Sequence, residues 1–308
     1  LPDLVATAPD PYADAAREFA TIRDLLRFAV TRFRANGLAY GHGFPDARTE
    51  AAYLIGWALD LPHADFDRYL DARLTREELA AIVEILRRRA EQRIPSPYLT
   101  REAWLGDYRF HVDERVLIPR SFIADLLREG LAPWVADPDA VGSALDLCTG
   151  SGCLAILLAE AFPNARVDGV DLSPDALDVA RVNVDDYGLA DRVELIRSDL
   201  MGALGGRRYD VIVSNPPYVD AAAMASLPPE YRHEPSLALA GGADGLDLVR
   251  KLLKQAAMHL ASGGLLVVEI GHNRTTLEAA YPAVPFTWLE THAGDGFVFL
   301  LRQEELPA

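Results

Sequence analysis

Ala144-Leu145-Asp146-Leu147-Cys148-Thr149-Gly150-Ser151-Gly152 reads as a buried strand that stops at a glycine turn, with a helix beginning near Leu154. Glycines between a strand and a helix let a ligand approach the backbone closely and leave the first helical N–H groups free to meet it. This stretch decides the fold, because the carboxyl-terminal part of the chain repeats its logic. From Pro119 onward the chain alternates short apolar, β-branched runs with amphipathic stretches of helical period, the pattern of a mostly parallel sheet flanked by helices. Strands are expected at 144–147, 166–170, 193–197, 209–214, 265–270, 287–289 and 297–301. Ser173-Pro174 reads as an N-cap followed by proline in the first helical turn, and Leu177, Ala180 and Val184 continue that helix's inner face.

Two cofactor classes suit the glycine turn. Read as Gly150-x-Gly152-x-x-Ala155 with Asp171 about 20 residues on, it matches a dinucleotide fingerprint. Read as acid-x-Cys-x-Gly-x-Gly, it matches the looser loop of enzymes that use S-adenosylmethionine (SAM). The other strand ends separate the two. Asp171 ends the second strand, where its carboxylate can accept from both ribose hydroxyls; Asp199 follows the third, placed for an adenine amino group; Asn215-Pro216-Pro217-Tyr218 ends the fourth. Polar groups at consecutive strand ends line one crevice at the sheet's carboxyl edge, where open α/β sheets bind ligands. A dehydrogenase explains Asp171 but leaves Asp199 and residues 215–218 without a task, so SAM is expected. Asp146 is expected to anchor the loop, Cys148 to contribute backbone rather than sulfur, and Asp199 alternatively to cap a helix.

Asn215-Pro216-Pro217-Tyr218 carries the chemistry. The Asn215 side-chain carbonyl and the Pro216 backbone carbonyl are two acceptors on a stiff segment, suited to a planar –NH2 group held by both hydrogens. Such a grip aims the nitrogen lone pair at an electrophile and favours positive charge building on it. Tyr218 is expected to pack over the flat group. No strong general base is evident; His233 is the nearest candidate, and a lone loop histidine is more often structural.

Upstream, residues 1–100 read as a helical domain, 101–118 as a linking β-hairpin, and 119–308 as the α/β domain. Ile22, Leu25, Leu26, Ala29 and Phe33 share one helical face, Ala51, Leu54, Ile55, Ala58 and Leu59 another, and Thr75 with Glu78 forms a capping box before Leu79, Ile82, Val83 and Leu86. Arg87, Arg88, Arg89 and Arg93 crowd that helix's end, read as a solvated terminus or, second, a docking patch for RNA. Trp104, Tyr108, Phe110 and Val112 alternate around Gly106-Asp107 as a hairpin.

The chain of 308 residues is 50% apolar and 25% charged, ample for a core, and its net charge of −16 disfavours nucleic acid on average while suiting a basic partner. No apolar run approaches the ~18–20 residues that span a bilayer and no signal pattern opens the chain, so a cytoplasmic protein without membrane attachment is expected. Cys148 and Cys153 have no zinc spacing and flank too tight a turn for a disulfide; no metal is expected.

Asp146-x-Cys148-Thr149-Gly150-Ser151-Gly152, Asp171, Ser198-Asp199, Asn215–Tyr218 and Ile118-Pro119-Arg120 together resemble the protein glutamine-N-methyltransferases over essentially the whole chain. The resemblance implies a small helical domain joined to a SAM-dependent, Rossmann-like, seven-stranded mostly parallel α/β fold, with S-adenosylhomocysteine as by-product. It implies cofactor contacts at Cys148, Thr149, Gly150, Ser151, Gly152, Asp171, Asp199, Leu200 and Asn215. It puts the substrate amide at Asn215, Pro216, Pro217 and Tyr218, with Arg120 near the entrance and residues 220–245 as a partial lid. Pro119-Arg120-Ser121-Phe122, Cys148, Tyr231-Arg-His-Glu-Pro235 and Gly242-Ala-Asp-Gly-Leu246 resemble the branch acting on ribosomal protein L-three more than the release-factor branch. That implies a ribosomal protein substrate, free or within a large-subunit assembly intermediate. Because the same clamp suits an exocyclic base amine, an adenine methyltransferase for DNA or RNA is the alternative.

Overall fold

Residues 10–307 are described by a computed structural model; residues 1–9 of the expected helical domain and residue 308 of the expected α/β domain lie outside the described residues. Two compact units are present. One comprises residues up to Arg101 together with Pro228–His233, the other Glu102–Leu227 and the chain from Glu234 onward.

The first unit is helical because its apolar residues recur at three and four. Helices Ile22–Ala35, Ala47–Ala58 and Arg76–Glu91 bury Leu25, Ala29, Phe33, Leu54, Ile55, Ile82 and Leu86 in one core. Thr75 and Glu78 form the capping box, and Thr21 with Asp24 forms a second. The arginine-rich helix end departs from expectation. Arg89 is only 1% exposed. Its Nε donates to Glu50 Oε1 at 2.7 Å, its Nη2 to Glu50 Oε2 at 3.1 Å and to the Ala39 carbonyl at 2.8 Å, and its Nη1 to Glu230 Oε1 at 3.4 Å. Arg93 reaches the Asn36 carbonyl and Glu230, and Arg87 pairs with Asp10. The reason is spacing: Arg89 follows Ile82 by seven and Leu86 by three, which turns it inward, and a buried guanidinium must then be paired. Of the four, Arg88 alone is fully exposed.

In the second unit, β1 (Glu102–Leu105) and β2 (Tyr108–His111) pair antiparallel about Gly106-Asp107, with Leu105 opposite Tyr108. The hairpin is tied to helix Pro174–Asp186 and its C-cap: the His111 N–H donates to Asn183 Oδ1 at 2.7 Å, and the Arg109 N–H donates to the Tyr187 hydroxyl at 3.0 Å. The main sheet contains β3 (Ser143–Leu147), β4 (Arg166–Asp171), β5 (Val193–Arg197), β6 (Tyr209–Ser214), β7 (Leu260–Glu269), β8 (Thr287–Thr291) and β9 (Gly294–Arg302). Their order is β5-β4-β3-β6-β7-β9-β8, with β9 alone running against the others. The chain winds outward from β3 to β5, returns to β6 on the other side of β3, and winds outward again. Right-handed crossovers then put the two sets of helices on opposite faces. Helix Asp247–His259 supplies Val249, Leu252, Leu253 and Ala256 against Leu145, Leu147, Ile212 and Leu266. The β3–β6 junction is the switch point where such sheets open a crevice at their carboxyl ends.

Candidate active site

The glycine turn follows β3 and Asn215 follows β6, so the switch point itself brings the two motifs side by side. A cavity of about 300 Å³ opens there, lined among others by Cys148, Gly150, Asp171, Asp199, Leu200 and Asn215. A smaller one, about 40 Å³, lies next to Arg120, Thr149, Ser151 and Cys153; the two cavities share Leu117, Cys148, Gly150 and Asn215.

The loop is held from beneath. Cys148, Gly150 and Gly152 all adopt left-handed backbone, in a turn closed by the Gly152 N–H on the Thr149 carbonyl at 2.8 Å, while the Thr149 N–H extends the β3–β4 ladder to the Val170 carbonyl at 2.9 Å. The Thr149 hydroxyl donates to Asp146 Oδ2 at 2.6 Å, so Asp146 anchors the loop through that side chain. Asp146 is fully buried, and among the described residues its Oδ1 has no hydrogen-bond partner. Burial pushes its carboxyl up to about 7, against the pull of Thr149 and with nearby Asp171 adding to the rise. Burial likewise pushes the Cys148 thiol above its ordinary range and the Cys153 thiol up to about 12, and both cysteines are free.

Asp171 ties the second strand end to the loop. Its Oδ2 accepts from the Gly150 N–H and its Oδ1 from the Ser173 N–H, each at 2.9 Å. Each oxygen keeps lone-pair capacity toward the cavity. Burial raises its pKa, opposed by those backbone bonds. Asp199 is exposed at the cavity edge and no helix follows it, which removes the capping alternative. Leu200 follows in a left-handed conformation, buried against the cavity.

At the fourth strand end, the Asn215 Nδ2 donates to the Arg120 carbonyl at 3.4 Å, which turns Oδ1 away from that contact. Asn215 and Pro217 line the larger cavity; Pro216 is buried, and neither it nor Tyr218 is part of that lining. The Tyr218 hydroxyl donates to Glu269 Oε1 at 3.2 Å, and its carbonyl accepts from Asn273 Nδ2 at 2.7 Å. Its ring lies over Gly271, where a Cβ would come within 2.6 Å of it, and its carbonyl lies where a Cβ on Gly245 would come within 2.4 Å. Both glycines have positive φ, so close approach and backbone shape demand the same residue.

Arg120 borders the smaller cavity and is paired there. Its Nη1 and Nη2 grip the buried Glu234 carboxylate at 2.6 and 2.7 Å, and Glu234 also accepts from the Ile118 N–H at 3.0 Å. The expected lid is divided: residues 228–233 cluster with the helical unit, while Leu237, Ala238 and Ala240 line the cavity. His233 bonds the Gln92 carbonyl within the helical unit.

Glu269 escaped the reading of the sequence. It is 1% exposed, and burial lifts its carboxyl to about 7 although Ser121, Phe122 and Tyr218 donate to it and Arg120 lies nearby. The available signal was an acid inside the apolar run Leu265-Leu-Val-Val-Glu269-Ile270.

The residues fit SAM. A carboxylate faces the cavity at Asp171, backbone of a tight loop borders it, and Leu172, Leu200 and Leu248 give apolar walls for an adenine ring. Among the described residues no cluster suits a metal ion, and no helix is long and apolar enough to cross a membrane.

The fold is that of SAM-dependent methyltransferases. Residues 129–227 match the model of the Methyltransferase small domain and residues 24–100 that of the PrmC N-terminal domain. The hMettl16 catalytic domain, solved with the MAT2A 3′UTR hairpin 6, superposes with a TM-score of 0.50 at 15% identity, covering 73% of this chain and 80% of that one. A ribosomal protein uL3 glutamine methyltransferase of Neisseria meningitidis serogroup B is 57% identical, covering 96% of this chain and 97% of its own length. Its namesake in Burkholderia pseudomallei is 53% identical over 99% of both chains. The chain belongs to the ribosomal protein uL3 glutamine methyltransferase family.

Proposed function

We propose that this chain transfers a methyl group from SAM to the side-chain amide nitrogen of a glutamine in ribosomal protein uL3, with Asn215 at the centre of the clamp. The observation that carries the reading is the Asn215 amide. With Nδ2 given to the Arg120 carbonyl, Oδ1 is the atom left to accept from an incoming –NH2, at the rim shared by both cavities.

Cys148–Gly152, Asp171, Asp199 and Leu200 would hold SAM, which supplies a methyl group activated by its positively charged sulfur. The chain's own task is then presentation. A carboxamide nitrogen is a poor nucleophile because its lone pair is shared with the carbonyl. Asn215 Oδ1 and the Pro216 carbonyl each accept one of its hydrogens, which fixes its direction and stabilises the positive charge that grows on it. The proton leaves to solvent afterwards. Tyr218, held through Glu269 and Gly271, would steady residues 215–218 from outside the cavity lining.

The names of the relatives favour uL3 over a release factor, and a net charge of −16 favours a basic protein over adenine in nucleic acid. A ribosomal substrate carries with it a cytoplasmic location. Labelled SAM offered together with purified uL3, release factor and nucleic acid is the test. Label is expected on uL3, and mass spectrometry then names the glutamine; label on adenine overturns the reading. Comparing free uL3 with a large-subunit precursor decides which form is recognised and whether RNA contributes. Asn215→Ala is expected to lose roughly 10²–10³ in turnover, the scale of one polar contact to developing charge, while keeping its fold. Asp171→Ala is expected to weaken SAM binding by roughly 1–3 kcal/mol in calorimetry.

A further inference from the structure

Asn215 can present Oδ1 only if something fixes its amide, and the Arg120 carbonyl does so from an irregular segment that has no ladder of its own. Residues 118–122 are instead held at both ends by buried carboxylates. At one end Glu234 takes the Ile118 N–H and the Arg120 guanidinium. At the other, Glu269 Oε2 accepts from the Ser121 hydroxyl at 2.7 Å and from the Phe122 N–H at 2.9 Å. Its second oxygen takes the Tyr218 hydroxyl at 3.2 Å. Glu269 ends β7 beside β6, and since Ser214 pairs with Val268 the next residues in register are Asn215 and Glu269. One side chain therefore joins three things around the amide clamp: the segment whose carbonyl orients Asn215, the tyrosine of residues 215–218, and the rigid sheet.

We propose that Glu269 is a positioning residue for the transfer, fixing residues 118–122 and Tyr218 so that the Asn215 amide is locked with Oδ1 toward the substrate. The inference rests on the function proposed above and deepens it. A carboxylate suits the task because it only accepts, and three donors converge on it. Glutamine keeps an oxygen for Ser121 and Phe122 but turns an NH2 toward Tyr218. Leucine fills the space and holds none of the three. Small losses of alignment at a reacting centre are expensive in rate and leave remote binding alone.

Glu269→Leu is therefore expected to lower kcat on uL3 by about 10–100-fold, with SAM affinity within about twofold. Glu269→Gln is expected to recover most of that loss. Should Glu269→Leu fail to fold, Ser121→Ala and Tyr218→Phe each delete one donor, and each is expected to lower kcat severalfold with SAM affinity unchanged. A kcat near wild type in Glu269→Leu, or SAM affinity falling in step with kcat, overturns the inference. A second readout needs no substrate: the Asn215 side-chain NH2 resonances, assigned by their loss in Asn215→Ala, are expected to move in Glu269→Leu and stay in Glu269→Gln. If wild-type enzyme leaves uL3 unmethylated, the proposed function fails, and these resonances still decide the positioning role: unmoved signals in Glu269→Leu end it.

Discussion

Arg89 in the helical unit and Glu269 in the α/β unit are equally sealed from solvent, at 1% exposure each, yet their surroundings are opposite. Arg89 meets Glu50 directly, and Glu230 meets both Arg89 and Arg93. Glu269 accepts, among the described residues, from neutral donors, a serine hydroxyl, a backbone N–H and a phenol, with Arg120 nearby and paired to Glu234. Burial alone would raise Glu230, but the Ala39 N–H and the two arginines outweigh it and hold the carboxyl below its ordinary range. At Glu269 burial prevails, lifting the carboxyl to about 7. Asp146, beneath the glycine loop, behaves like Glu269. Glu234 belongs to the same unit as Glu269 yet is paired with Arg120, so the contrast follows the partner rather than the region. A buried carboxyl with an ionic partner keeps its charge, and one without is pushed toward its neutral form.

The largest effect should come from unbalancing the balanced region. Arg89→Met leaves Glu50 and Glu230 facing each other without their shared guanidinium, and is expected to cost about 3–5 kcal/mol of stability. Adding Glu50→Gln and Glu230→Gln should return part of it. Denaturant unfolding followed by a probe in the helical unit measures both. A loss under about 1 kcal/mol in the single variant, the range of exposed pairs, would break the comparison at its first term.

The unbalanced region should reveal itself through pH. A carboxyl raised from near 4.5 to about 7 by folding binds its proton more tightly in the folded state. Its stabilising contribution is therefore complete below about pH 4.5 and is lost as pH rises toward 7. Glu269→Gln removes that dependence. Relative to the wild type, the variant is expected to gain stability between pH 5 and pH 8, by up to about 3 kcal/mol, in thermal or urea unfolding without SAM. Because Asp146 titrates over the same span in both proteins, the difference isolates Glu269. A difference that is flat with pH would place Glu269 with the balanced charges.

Legibility in the sequence divides along the same line. The strands, the glycine turn and the three polar strand ends were legible because each is a local pattern: an apolar run, a turn residue, a polar group at the run's end. The order in which the strands lie is not local, but the crevice survives that ignorance, since every parallel strand delivers its carboxyl end to the same edge. Buried charges were not legible. Arg89 looked like part of a solvated helix end because its partners Glu50 and Glu230 are 39 and 141 residues away. Glu269 looked like strand filler because its donors arrive from residues 121, 122 and 218. Arg120 reads from the sequence as a residue near the entrance, and its pairing with Glu234, 114 residues away, was not legible.

Cys148 gives the comparison a third term, a partly buried titratable group that avoids charge altogether. Burial, then the neighbouring carboxylates Asp171 and Asp146, drive its thiol above the ordinary range, so it remains protonated and unreactive at neutral pH. Its backbone is left-handed, at φ 61, a conformation that costs a side-chain-bearing residue roughly 1–2 kcal/mol. Glycine at this position relieves that strain. It also frees the unfolded chain, by roughly 0.5–1 kcal/mol, and gives up the sulfur's packing against the core beneath the sheet. The terms oppose and nearly cancel, so Cys148→Gly is expected to change stability by less than about 1 kcal/mol and to leave turnover within severalfold. Iodoacetamide should label the native protein at Cys148 far more slowly than the unfolded chain. Rapid labelling, or turnover lost in the glycine variant while SAM binding persists, would mean that the sulfur itself takes part and that neutrality at this loop is not the rule.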